Sequence, residues 1–353
     1  MRALTMTDYH RMEVADVPRP SPGPGDVLLR VTATGICGSD IHGFTGENGR
    51  RHPGQVMGHE TAGHVAAVGD GVDTDRFPLG AAATLNPVVL PESDLSTYAG
   101  REQHCPRKLV IGVAAERQAA FADYVVVPDR NVVLLAPSMP VHLGALVEPL
   151  AVAVHAVRLG DPAPGEPVLI LGGGPIGQSL ILALRMAGVD RAVVSEPDSR
   201  RRDLCRELGA QTISPTDGDV AEQAQQVAGG QVALTLDAVG MTSTLADALR
   251  ATSLGGTVVL VGMASPTVTI PAYAVSTGER VIRGSFTYAA QDFADAAAWL
   301  GEHHGQAAPL VSRVVSPEQA PQAFLDLAGE QPDPGKVLVR FDDTPPGPAG
   351  APS

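Results

Sequence analysis

The chain is 353 residues long, which at roughly 150 residues per domain points to about two domains. Its 25 Lys+Arg against 39 Asp+Glu leave a formal net charge of -14, a balance that repels phosphate backbones and anionic lipid and so excludes nucleic acid and membrane as expected partners. A hydrophobic content of 44% excludes global disorder, and with only 4% aromatic residues the cores have to be built from Ala, Val and Leu.

The first third reads as β-rich. Short β-branched runs at 27–31, 64–68 and 124–127 are bounded by turn residues, among them Gly23-Pro24-Gly25, Gly69-Asp70-Gly71 and Pro128-Asp129. The pattern changes near Pro140. From 141 to 159 the apolar residues fit a buried helix, with Pro149 as a kink or an early helical position. An apolar strand at 168–171 follows, then glycines, a helix over 176–186, a strand at 192–195 and a polar helix over 199–208. A strand at 232–236, a helix around 245–250 and a strand at 257–261 extend the alternation. Continuous apolar strands alternating with helices predict a parallel sheet covered on both faces. A helix over 291–300 and a strand at 336–341 close the fold. Residues 342–353, Pro, Gly and Ala without periodicity, predict a disordered tail.

Three cysteines, Cys37, Cys105 and Cys205, are too few and too odd in number for a disulfide framework. Residues 1–8 lack the basic-then-apolar pattern of a signal peptide, and no apolar run approaches the roughly 20 residues of a membrane span. The expectation is a soluble, cytoplasmic protein. Basic residues are nearly all arginine; the only lysines are Lys108 and Lys336.

Gly172, Gly174 and Gly177, with Pro175 and Ile176 between the last two, match G-x-G-x-x-G. In a Gly-rich chain the pattern alone also describes a plain strand-to-helix turn. Here it follows an apolar strand and opens a helix, so its backbone N–H groups face a pyrophosphate at the helix N-terminus. Glu196 ends the next strand, close to the expected spacing of about 20 residues, where a carboxylate holds the adenosine ribose hydroxyls. A carboxylate there repels a 2′-phosphate and favours NAD over NADP. Arg200 and Arg201, just beyond, pull the other way.

Cys37, His59 and Glu60 lie in the β-rich part and are suitable zinc ligands. From spacing alone Cys37 also fits a small buried hydrophobe and His59 a hydrogen-bonded turn residue.

Gly35-Ile36-Cys37-Gly38-Ser39-Asp40-Ile41-His42 and Gly58-His59-Glu60-Thr61-Ala62-Gly63-His64-Val65 resemble the two signatures of zinc-dependent medium-chain dehydrogenases/reductases. The run from Ala145 through Glu148-Pro149 to Val157 resembles the branch containing sorbitol, threonine and (R,R)-butanediol dehydrogenases, as do Ser195-Glu196-Pro197 and Gly284-Ser285-Phe286-Thr287-Tyr288. The resemblance implies an α/β fold in which a Rossmann doubly wound parallel sheet (147–284) is inserted into a β-rich GroES-like catalytic domain (1–146 plus 285–353). It implies one catalytic zinc held by Cys37, His59 and Glu60, with Glu148 bound directly or exchanging with water. Zinc as a Lewis acid lowers the alcohol's pKa, and hydride passes to the nicotinamide. Ser39 and His42 fit a relay that carries the alcohol proton to solvent, with Asp40 orienting the loop. Val239, Gly262 and Met263 fall where the nicotinamide lies, and Arg201 near the adenosine end. Relatives form homodimers or homotetramers, often through the edges of their Rossmann sheets, and 258–261 is the candidate edge here.

The chain also departs from the family pattern. Where many relatives carry the cysteines of a structural zinc lobe it has Pro91, Asp94 and Thr97, and only Cys105 remains, so no structural zinc is expected. Gly80-Ala81-Ala82-Ala83 replaces the usual Gly-Asp-Arg-Val. Thr287, between Phe286 and Tyr288, stands where sorbitol dehydrogenases place an arginine, and Gly43 where they place a tyrosine. These three residues from Phe286 to Tyr288 are the candidate substrate contacts. A small-molecule alcohol or ketone other than sorbitol is the expected substrate: a diol, polyol, cyclitol or amino alcohol. Two other readings are a metal-free, NADPH-linked quinone or enone reductase of the same superfamily and a non-catalytic dinucleotide-binding protein. Finding Cys37, His59, Glu60 and Glu148 together argues against both.

Overall fold

The computed structural model describes residues 1–47, 49–115 and 117–342. The chain divides into two units. Met1–Glu148, Ala297–His304 and Val311–Ser353 form one; Pro149–Ala296 and Gly305–Leu310 form the other. The tail expected to be disordered lies, from 343 onward, outside the described residues.

The first unit is built on a seven-stranded sheet in the order Val311–Val315, Lys336–Arg340, Asp26–Gly35, Glu60–Val68, Ala82–Leu85, Val132–Leu134, with Tyr124–Pro128 also pairing Asp26–Gly35. The runs read as strands from β-branching and turn punctuation are all in it. Its long central strand, Asp26–Gly35, is buried along most of its length because it is paired on both edges and packed over the core. Five of the chain's seven phenylalanines lie in that core: the Phe44 and Phe324 rings are 5.4 Å apart and those of Phe121 and Phe324 5.6 Å apart. Aliphatic side chains fill the remainder, as the composition requires.

The second unit holds a six-stranded, all-parallel sheet in the order Gln211–Ile213, Ala192–Ser195, Val168–Leu171, Val232–Asp237, Thr252–Leu260, Val281–Gly284. The chain builds outward from Val168–Leu171 on one side, then returns to build on the other. That reversal is the switch point at which doubly wound sheets bind ligands. Leu169, Val193 and Val258 from the strands meet Leu245, Ala248 and Leu249 from the helix Thr242–Ala251 in its core.

Two expectations are corrected here. Residues 258–261 do not form an edge: Thr252–Leu260 pairs with Val232–Asp237 on one side and Val281–Gly284 on the other, and Val281–Gly284 is the edge. The late strand was missed because Val281-Ile282-Arg283-Gly284 is short and half polar. The predicted helix 141–159 is a 3₁₀ segment, Val141–Leu146, running into the α-helix Val147–Gly160, with Pro149 in the first turn where its missing N–H costs nothing. Together, Val141–Gly160 are long and apolar enough to cross a membrane, but the segment is mostly buried inside the protein, as in a core helix.

Candidate functional site

Strand Asp26–Gly35 runs directly into Ile36 and Cys37. Antiparallel pairing puts Gly35 opposite Glu60 at the start of Glu60–Val68, so one register brings together residues more than twenty positions apart. The result is a cluster in which one ligand atom each from Cys37, His59 and Glu60 lies within 4.8 Å of the others. Gly35 makes room for it, since a Cβ there would lie 2.2 Å from Glu60 Oε2.

His59 and Glu60 are buried, and among the described residues His59 Nδ1 and Glu60 Oε2 have no hydrogen-bond partner. Burial opposes a charged imidazole at His59, yet Asp40, Cys37 and Glu148 together raise its pKa to about 10. The buried pocket therefore attracts positive charge strongly. A sulfur, an imidazole and a carboxylate whose Oε2 is unpartnered, converging in such a field, fit a zinc ion. Glu148, buried in the first turn of Val147–Gly160, acts electrostatically on both His59 and Lys336.

Sequence reasoning missed Lys336. Its Nζ donates to Glu60 Oε1 at 2.7 Å and to the Ile36 carbonyl at 3.4 Å. The available signal was one of two lysines in the whole chain opening the apolar strand Lys336–Arg340. Arg51, also missed, lies buried against Asp40.

Cys37 caps the short helix Gly38–Phe44, which carries the candidate relay residues. Ser39 is half-buried and His42 exposed, with His42 Nδ1 2.8 Å from Glu47 Oε2. That contact, with a coulombic contribution from His42, holds the Glu47 carboxyl below its ordinary value. Asp40 is wholly buried and accepts the Cys37 backbone N–H at 3.2 Å, as a residue that orients the loop should.

In the lobe between Val88–Val89 and Leu109–Val110, Asp94 takes both ends of the Arg107 guanidinium and accepts the Cys105 thiol at 3.4 Å. The Arg107 hydrogen bond is the main reason its carboxyl titrates below the ordinary range.

In the second unit, Gly174 caps the helix Pro175–Met186 and Pro175 takes its first position. A Cβ on Gly177 would lie 1.9 Å from the Gly172 carbonyl, so only glycine lets helix and strand approach this closely. Glu196 is buried at the end of Ala192–Ser195 and accepts the backbone N–H of Gly173 at 2.7 Å and of Asp198 at 2.9 Å. Arg200 is committed to Asp198 at 2.7 Å. Arg201 keeps Nε without a partner, and its guanidinium approaches Gly174. Val239 and Gly262 are in close backbone contact and Met263 beside them is exposed. Asp237, not foreseen, fixes this corner by accepting the N–H groups of Val239 and Gly240. Of the candidate substrate residues, Phe286 is 45% exposed and Thr287 has a left-handed backbone. Tyr288 is corrected: at 0% exposure its ring packs against Phe293 as core and presents no surface to a substrate.

Residues 23–137 match the alcohol dehydrogenase GroES-like domain and residues 175–302 the zinc-binding dehydrogenase domain. L-Threonine 3-dehydrogenase of Pyrococcus horikoshii is 34% identical over 263 residues, 73% of this chain and 74% of that protein. D-Xylulose reductase A of Aspergillus niger is 29% identical over 336 residues, covering 92% and 93%. Among solved structures, 2R,3R-butanediol dehydrogenase from Bacillus subtilis superposes with a TM-score of 0.87 at 26% identity, over 97% of this chain and 99% of that one. A zinc-binding dehydrogenase from Sinorhizobium meliloti 1021, bound to NADP, gives 0.86 at 30% identity over 96% and 98%.

Proposed function

The chain belongs to the zinc-dependent medium-chain dehydrogenases, in the branch of threonine and polyol dehydrogenases, and from that premise we propose that it is a zinc-dependent, NAD-linked enzyme interconverting a secondary alcohol and its ketone. The observation that carries this reading is the buried convergence of Cys37, His59 and Glu60. These residues, with Glu148 close by, hold one zinc per chain. Bound there, zinc supplies Lewis acidity toward the alcohol or ketone oxygen.

The chain's own residues do the rest. Ser39 passes the alcohol proton to His42, which lies at the solvent and shares its ring proton with Glu47. The N-terminus of Pro175–Met186 receives the pyrophosphate, Glu196 the ribose hydroxyls, and the backbone of Val239, Gly262 and Met263 the nicotinamide. The Glu196 carboxylate favours NAD; the unpartnered Arg201 Nε leaves NADP as the second cofactor. Vicinal diols, polyols, cyclitols and amino alcohols are the substrate class; relatives named for threonine, xylulose and butanediol support the amino alcohols, polyols and diols. A second copy of the chain is the expected partner, in a dimer or tetramer, because Val281–Gly284 offers an unpaired edge among the described residues, with Val281 and nearby Leu254 exposed. A reducing, cytoplasmic setting suits three free cysteines.

The test is metal content and chelation. One zinc per chain and turnover that disappears on chelation and returns with zinc are expected. Cys37→Ala should abolish turnover while NAD binding stays within about threefold. Full activity in metal-free protein would sink the reading.

A further inference from the structure

The metal-ligating cluster is backed by a buried ion pair. Asp40 touches two of its members: Oδ2 accepts the Cys37 N–H at 3.2 Å, and Oδ1 lies 3.6 Å from His59 Nδ1. The same Oδ1 accepts Arg51 Nη2 at 3.3 Å. Arg51 is 1% exposed and among the largest fully buried side chains in the protein, and its Nε has no hydrogen-bond partner among the described residues. Burying a guanidinium costs several kcal/mol, and a single carboxylate contact with one donor left unpaired offsets it poorly. The fold nevertheless gives up a side chain to admit it: a Cβ on Gly43 would lie 2.1 Å from Arg51 Cγ. Packing can account for the stem of this side chain but not for the charge at its end.

The surrounding charges do. With a metal in place, four groups around the cluster are anionic: the Cys37 thiolate and the carboxylates of Asp40, Glu60 and Glu148. Two buried cations face them, Lys336 on Glu60 and Arg51 on Asp40. Two negative charges are left over, the complement of one divalent cation. An anion beside a ligating imidazole makes the ring a stronger donor, which tightens metal binding and blunts the metal's Lewis acidity. A cation on the far side of that anion works in the opposite direction.

We propose that Arg51 is a positioning residue that sets the charge of the metal centre: by holding Asp40 as its ion-pair partner it weakens zinc binding and keeps the bound ion a stronger Lewis acid. The proposal rests on the zinc reading above. It reverses the usual sign, because loss of a buried residue beside a metal site ordinarily loosens the metal.

The experiment measures the zinc dissociation constant by competition with a chromogenic chelator, alongside kcat and KM. Arg51→Met keeps the stem over Gly43 and removes the charge. It should bind zinc about tenfold tighter or more, with kcat lowered and KM for NAD unchanged. Arg51→Lys should stay within about threefold of the native affinity. Asp40→Asn/Arg51→Met removes both charges, a replacement that buried pairs usually tolerate, and should also bind zinc within about threefold of native. Weaker or unchanged zinc binding in Arg51→Met overturns the proposal, as does a lysine variant that behaves like the methionine one. If Arg51→Met does not fold, a departure of the double variant beyond about threefold overturns it. Native protein that binds no zinc overturns the zinc reading and this proposal together; native protein that binds one zinc with no shift in the variants overturns this proposal alone.

Discussion

Lys336→Met isolates the other buried cation of the centre. Lys336 and Glu60 are 3% and 0% exposed and meet at 2.7 Å. Burial acts to lower the lysine's pKa, but Glu60, Cys37 and Glu148 outweigh it and hold it above the ordinary 10.5. The sign follows: a raised lysine contributes stability that is fully present below the unfolded value and lost as pH rises through the folded one. At neutral pH the whole effect is measurable. Removing Lys336 leaves the Glu60 carboxylate buried without its ion-pair partner, at a cost of about 3–5 kcal/mol. At about 2–4 °C per kcal/mol for a unit of this size, the Tm of the metal-free protein should fall by about 6–20 °C. Calorimetry on chelator-treated protein at pH 7 reads this directly. Lys336→Met/Glu60→Gln, which removes both charges, should recover more than half of the loss. A single variant melting within about 2 °C of native would show that the pair contributes nothing net. A double variant no better than the single one would show that the loss is packing rather than charge.

Two further outcomes follow from groups elsewhere in the chain. Burial acts to raise the pKa of Asp292, but His155 at 2.9 Å, the Ala289 N–H and Arg158 win and hold it below the usual value. Its contribution is therefore present above pH ~3.8 and lost as pH falls through the lower folded value. Asp292→Asn should lower Tm at pH 5, with the gap to native closing as pH falls below ~3.8; a gap that stays constant from pH 5 down to pH 2 would refute the assignment. Glu196→Gln should reduce the ratio of kcat/KM for NAD to that for NADP by about tenfold or more, since a ribose bond to a charged acceptor contributes about 1.5–3 kcal/mol. The ratio cancels any damage to the Gly173 turn that both cofactors share. A native enzyme already faster with NADP, or an unchanged ratio, would overturn the NAD preference.

Much of this protein can be read along the chain. The glycine-rich turn is local: an apolar strand, Gly172, Gly174 and Gly177 and the following helix are contiguous, and the close approach that Gly177 permits involves a residue five positions away. Alternating runs and turn residues likewise locate most strands, because β-branching and burial act residue by residue. Cys37 and the Gly58-His59-Glu60 turn were identifiable by their resemblance to the family signatures. The misses have a common cause. Val281–Gly284 is too short and polar to announce a strand, and it becomes the sheet edge only because Thr252–Leu260 is there to pair with it. Tyr288 looks like a pocket residue until Phe293, in the next helix, covers it.

The sequence by itself determined the fold class and the glycine-rich strand-to-helix turn, and its resemblance to the family signatures pointed to Cys37, His59 and Glu60. Only the tertiary structure decided which cations face that cluster. Lys336 reaches Glu60 across 276 positions, and Arg51 is recruited by an aspartate on a different element. A cation's effect depends on its distance from other charges and on the water excluded between them. Neither quantity exists until strands from the two ends of the chain are paired in one sheet.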